Sequence, residues 1–194
     1  MDLTRNFICE LETKYQFTYL EKLSFESDEE KDFLQKKGLL TWKDKEAGRL
    51  GDLFIDLIER SFMPLVSIRW VDPKIGYGVF AEEEIKEGDF VGEYTGVIRR
   101  NDLRRCFEPP SDFIAMYPIE DERGKKFLLD AIQGNMTRFI NHKRDGNIAP
   151  YQAFYEGLYH RIFRALRVIR KGEQLFYDYG RSYWYSRSSP IDLI

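Results

Sequence analysis

Cysteine is nearly missing from this chain. Cys9 and Cys106 are the two in 194 residues, and His142 and His160 are the two histidines. So few ligands make neither a disulfide framework nor a four-ligand zinc site, and no metal is expected. A reducing compartment is the natural reading. The first residues, "MDLTRNFICELETKYQ", lack the apolar core of a secretion signal. No apolar run approaches the ~20 residues that a membrane helix needs, so no membrane association is expected. A one-sided charge is missing too. Thirty basic against 33 acidic side chains leave a net charge of −3, with no basic stripe of the kind direct nucleic-acid binding requires. The run "RRNDLRR" (99–105) reads as a solvated helix start. A soluble intracellular protein is expected, in the cytoplasm or, if it is a secreted effector, in a host cell or its nucleus.

Aromatic residues, by contrast, are plentiful at 15%, led by 15 Phe and 12 Tyr. Residues 1–63 read as a helical flank. Ser27 and Glu30 stand in capping-box spacing, and Gly38 is the expected stop of that helix. Leu50, Leu53, Phe54, Leu57 and Ile58 form an amphipathic stripe that Pro64 ends, a packing face for the next domain. From residue 64 the pattern changes to short runs rich in β-formers: "LVSIRWV", "GVFA", "DFVGEY", "FIAMYPI", "KFLLDA", "RIFRALRVI" and "QLFYDY". "NDLRRCF" (101–107) is the expected helix among them. Strands with few helices, after a helical start, predict an α+β fold with a mainly-β core. Residues 64–180 form the main domain in this reading, and 181–194 an aromatic C-terminal flank.

"IGYGVFA" (75–81) has the glycine spacing of a dinucleotide fingerprint. That reading needs a helix after the glycines. Here Gly88 interrupts any helix within two turns, and Glu82, Glu83 and Glu84 crowd the phosphate position. An oxidoreductase is therefore disfavoured. "GYGVFAEEEIKEGDFVGEYTGVI" (76–98), "GNMTRFINH" (134–142) and "KGEQLFYDYG" (171–180), in this order, resemble the signatures of the SET-domain protein lysine methyltransferases. Read alone, "RFINH" is a β-strand followed by an Asn/His turn.

The resemblance implies a SET fold in which "RFINH" and "LFYDYG" form a C-terminal pseudoknot. It implies S-adenosylmethionine (SAM) as cofactor and a protein lysine, of a histone, a histone-like or another protein, as substrate. Ile75, Gly76, Tyr77 and Gly78 would border the cofactor. Arg138, Phe139, Asn141 and His142 would hold it, His142 largely through its backbone. Tyr179 aligns with the catalytic tyrosine and Tyr94 with a second active-site tyrosine. Tyr177 occupies the Phe/Tyr position that tunes product, where Tyr favours mono- over trimethylation. The chemistry fits aromatics: lysine titrates near about 10.4 and must lose its proton, which an apolar channel and a nearby sulfonium favour. Tyrosine hydroxyls and carbonyls can then orient the amine and the methyl group.

Three departures stand out. "NHKRDGN" lacks the cysteine that joins a zinc site in many members, while Asn147 keeps the final Asn. Tyr183, Trp184 and Tyr185 either stack over the adenine, with Trp184 in the cofactor site, or pack the last strand. Ala115 stands where many members carry an aromatic. Compact zinc-free members occur in bacteria and large viruses. A catalytically silent SET module that binds a partner protein or peptide is the alternative.

Overall fold

The computed structural model describes residues 3–101 and 111–184. Beyond Asn101, the helix expected over 101–107 lies outside the described residues, as does Tyr185. The elements run α1 (Leu3–Tyr15), β1 (Ser24–Phe25), α2 (Asp28–Thr41), α3 (Lys45–Glu59), β2 (Val66–Asp72), β3 (Gly76–Ala81), β4 (Phe90–Glu93) and β5 (Val97–Arg100). They continue with β6 (Ile114–Glu120), β7 (Lys126–Asp130), a 3-10 turn (Met136–Phe139), β8 (Asn141–His142), β9 (Ile148–Tyr155), β10 (Leu158–Ala165), β11 (Phe176–Tyr177) and α4 (Arg181–Trp184). The α+β, mainly-β expectation holds. No helix among the described residues is long and apolar enough to cross a membrane.

The chain divides into two compact units: Met1–Leu53 with Tyr94–Arg138 and Ala153–His160, and Phe54–Glu93 with Phe139–Gln152 and Arg161–Ile194. The first holds a four-stranded sheet in the order β1-β5-β7-β6. Its core is fully buried Leu34, Ile98, Phe127 and Leu129. Ser27 caps α2 as expected, its side chain accepting from the Glu30 amide at 3.3 Å. The Glu30 carboxylate, however, accepts from Arg100 Nε at 3.2 Å.

Gly38 does not stop α2. It lies buried inside the helix, and a Cβ there would sit 1.9 Å from the Gly157 carbonyl oxygen. Its small size admits a close backbone approach, so the glycine that looks like a terminator is a packing residue. Gly51 plays the same part in α3, where a Cβ would meet the Phe154 carbonyl at 2.0 Å. Asp44 caps α3 by accepting from the amides of Glu46 and Ala47. The buried stripe of α3 is Ala47, Leu50, Phe54 and Ile58, while Leu53 is 55% exposed. Gly51 is buried on the same face, and Leu53 lies outside it. The helix ends well before Pro64. Ser61 at φ +51° donates to Ile58 and Phe62 donates to Leu57, a Schellman closure with serine where glycine is usual.

The second unit contains the β2-β3 hairpin, the β11-β8 pair, and β4 against the Arg161–Ala165 part of β10. Phe54 packs on Phe90 with ring centroids 5.4 Å apart. Val79, Val91, Ile162, Phe163 and Leu175 are fully buried there.

Candidate functional site

The β2-β3 hairpin turns through Asp72, whose Oδ1 accepts from the amides of Lys74 (2.7 Å) and Ile75 (2.9 Å). Gly76 follows at φ +77°, a conformation that side chains rarely adopt, and among the described residues no heavy atom beyond its own and those of its chain neighbours lies within 4 Å of where its Cβ would be. Gly78 serves differently: a Cβ there would be 2.3 Å from Gln174 Nε2 and 3.0 Å from Asn141 Nδ2. So the first glycine makes the turn and the second makes room for two amides. The strand continuing from them, with no helix, removes the dinucleotide-fold reading. Tyr77 turns its ring edge-on to Trp70 (5.2 Å) and Phe139 (6.4 Å), and its carbonyl accepts from Asn141 Nδ2 at 3.0 Å.

"RFINH" is not one strand. Residues through Phe139 form a 3-10 turn, and Asn141–His142 alone are extended. Asn135 causes this, its Oδ1 accepting from both the amide and the hydroxyl of Thr137. β8 then pairs in parallel with β11, Asn141 opposite Phe176 and His142 opposite Tyr177. Asn147 braces the same strand with both ends of its amide, donating to the Gln174 carbonyl (2.8 Å) and accepting from the Phe176 amide (2.9 Å). That bracing gives the retained asparagine a purely structural reason.

Around this pair the aromatics gather. Tyr179 donates its hydroxyl to the Ile140 carbonyl at 2.8 Å, and its backbone N–H to His142 Nδ1 at 3.1 Å. Its ring lies 4.7 Å from Tyr177, 4.7 Å from Tyr183 and 6.2 Å from Trp184, the last nearly parallel at 10°. Tyr177 is buried against Phe163 (4.8 Å). Burial pushes its phenol up to about 12, against a smaller lowering by the Arg161 cation, so the hydroxyl stays protonated at any working pH. His142, 8% exposed, meets the Trp184 ring at 4.9 Å.

The second unit therefore brings together Gly76, Tyr77, Gly78, Phe139, Asn141, His142, Tyr177, Tyr179 and Trp184. Tyr94 and Arg138 belong to the first unit. Tyr94 is buried and donates to the Phe113 carbonyl at 3.0 Å. The Arg138 guanidinium lies 4.0 Å from the Phe113 ring and 5.0 Å from the Phe17 ring, with Nε donating to the Ala131 carbonyl. Burial draws its pKa below the usual arginine value. The sequence reading missed Gln174, the bracing by Asn147, and the Phe17–Arg138–Phe113 sandwich. A polar residue inside "KGEQLFY" could have flagged the first; nothing local marks the last. Among the described residues no group of three or more His, Cys, Asp or Glu could hold a metal ion.

The SET domain model matches residues 76–180. Curated relatives include the histone-lysine N-methyltransferase EZH2 of Chaetomium thermophilum, 36% identical over 116 residues, covering 56% of this chain and 8% of the relative. Human histone-lysine N-methyltransferase EHMT1 is 34% identical over 115 residues, covering 57% and 9%. Su(var)3-9 of Drosophila melanogaster is 30% identical over 130 residues, covering 62% and 20%. Among solved structures, an active polycomb repressive complex 2 in the basal state superposes with a TM-score of 0.54 at 34% identity, covering 64% of this chain and 16% of that one. The chain thus spans at most a fifth of the length of these relatives.

Proposed function

This chain belongs to the SET-domain family, and on that premise we propose that it is a SAM-dependent protein-lysine N-methyltransferase acting on a histone or histone-like protein. The observation that carries the reading is the aromatic cluster at the β8-β11 pair: Tyr179 hydroxyl-bonded to the Ile140 carbonyl, with Tyr177, Tyr183 and Trp184 around it. The three relatives above are all named histone-lysine N-methyltransferases, which supports the substrate class.

SET methyltransferases use SAM as a family property, and two features of this chain fit such a group. Gly76 presents open backbone, and the Trp184 indole Nε1 is buried with no hydrogen-bond partner among the described residues. The residues proposed to hold it are Ile75, Gly76, Tyr77, Gly78 and His142 by backbone, with the side chains of Phe139, Asn141, Tyr179 and Trp184. When bound, SAM supplies a methyl group on a cationic sulfur. The chain's own part is positioning. The Tyr179 hydroxyl, fixed by the Ile140 carbonyl, and neighbouring carbonyl oxygens orient the amine and the methyl C–H groups. Apolar rings exclude water and favour the neutral amine. The Tyr177 hydroxyl, kept protonated, narrows the space beside the amine and disfavours a second methyl. Tyr94 is proposed as the second active-site tyrosine. Arg138 is proposed to act through the turn it anchors, since its guanidinium is engaged by Phe113, Phe17 and Ala131.

Calorimetric titration with SAM, together with label transfer from methyl-labelled SAM to histones and nucleoid proteins, tests the reading. Saturable binding with label on lysine supports it. Binding of a histone peptide without transfer would instead favour a silent recognition module.

A further inference from the structure

We propose that the His142 side chain, with Nδ1 unprotonated, is a positioning residue that fixes Tyr179 for reaction. This deepens the methyltransferase reading and rests on it.

The geometry is local to one short segment. The parallel β8-β11 ladder ends at the His142–Tyr177 pair, with the Lys143 amide donating to the Tyr177 carbonyl. The chain then leaves the ladder, and the next inward amide, that of Tyr179, would need a new acceptor. His142 Nδ1 supplies it at 3.1 Å, so a side chain adds one more rung where the backbone gives none. Two residues earlier, the Ile140 carbonyl accepts the Tyr179 hydroxyl at 2.8 Å. Tyr179 is therefore tied at its backbone and at its phenol tip to residues 140–142, which fixes the direction of its hydroxyl.

An Nδ1 that accepts must carry a lone pair, so the neutral imidazole holds its proton on Nε2. The ring is kept in place by the edges of Trp184 (4.9 Å) and Tyr179 (5.3 Å). A proton added at Nδ1 would turn the acceptor into a donor facing another donor. The carboxylate beside it, Asp178 Oδ1 at 3.6 Å from Nδ1, would then attract that N–H away from Tyr179. Lys143, next on the strand, has its ammonium over the Phe176 ring. Arg144 follows it along the chain, and Arg181, from α4, is the first cation after Tyr179. The acceptor rung is thus a feature of the neutral form, and turnover through Tyr179 weakens as that form is lost.

The test combines spectroscopy and kinetics on the full chain. Nitrogen-15 NMR of the wild type should give His142 as the Nε2–H tautomer, with the Tyr179 amide moving upfield as Nδ1 gains a proton. His142→Leu, which keeps the backbone and removes the acceptor, should lower kcat by about tenfold or more while the KM for SAM moves by less than about threefold. His142→Asn places an amide oxygen near the Nδ1 position and should restore kcat to within about threefold of wild type. The ratio of the His142→Asn rate to the wild-type rate should rise as pH falls from about 8 to 6, because ionisation of the substrate amine cancels in the ratio. An Nδ1–H tautomer, a Tyr179 amide indifferent to that titration, or equal rates for His142→Leu and wild type would overturn the proposal. The NMR measurement decides it even if no methyl transfer is found, so its failure is separate from failure of the activity.

Discussion

The Tyr179 hydroxyl donates to the Ile140 carbonyl at 2.8 Å, and the Tyr177 ring lies 4.7 Å from the Tyr179 ring with its own phenol buried. Two tyrosines two residues apart thus have different environments, one fixed by a carbonyl and one enclosed by rings. Tyr179→Phe removes the fixed hydroxyl and leaves the ring. It should lower kcat by about a hundredfold, the scale that misplacement of a reacting group produces, with SAM affinity within about threefold. Single-turnover kinetics beside calorimetry checks this; a proportional loss of SAM binding would assign Tyr179 to cofactor binding alone.

Tyr177→Phe deletes only an oxygen from a packed site. Intact mass spectrometry of the product peptide should then shift from mono- toward di- and trimethyl-lysine. A product distribution identical to wild type removes Tyr177 from control of methylation degree.

Tyr19 and Tyr177 both titrate at about 12, mainly because burial disfavours the phenolate. Their folded-state values lie above the unfolded value, so the protonated form carries stability that is complete below pH ~10 and lost as pH rises toward ~12. Phenolate absorbance should show a late-ionising group of tyrosines that includes Tyr19 and Tyr177, together with the fall in stability to urea. All tyrosines titrating together near pH 10 in the folded protein would contradict this.

In α3, Leu50 is buried and Leu53 is 55% exposed, although both stand on the stripe read from sequence. Leu50→Ala should cost about 2–5 kcal/mol in urea unfolding and Leu53→Ala under about 0.5 kcal/mol. Gly51→Ala should also destabilise, by about 1–3 kcal/mol or more, because the added methyl meets the Phe154 backbone. Equal costs for the two leucines would refute the register.

Most of the strands were legible because they are runs of β-branched and aromatic residues between turn residues, and Ser27 was legible as a cap because its partner amide is three residues away. The family was legible as three motifs in order. What escaped depends on contacts distant in sequence. Gly38 reads as a stop until Gly157 is known to press on it, and Ser61 closes α3 in a conformation usually left to glycine. The His142 ring also accepts from the Tyr179 amide, a relation across 37 residues that no local pattern encodes. Asn135 bends "RFINH" into a 3-10 turn through a hydroxyl two residues on, which outweighs the strand propensity of the segment.

The proposed lysine methylation by the Tyr177–Tyr179 site is read out by peptide mapping with mass spectrometry after incubation of the chain with deuteromethyl-SAM and core histones. One deuteromethyl group is expected on a lysine side chain, present with wild type and lost with Tyr179→Phe. Histones left unlabelled by a chain that also shows no calorimetric binding of SAM would contradict it.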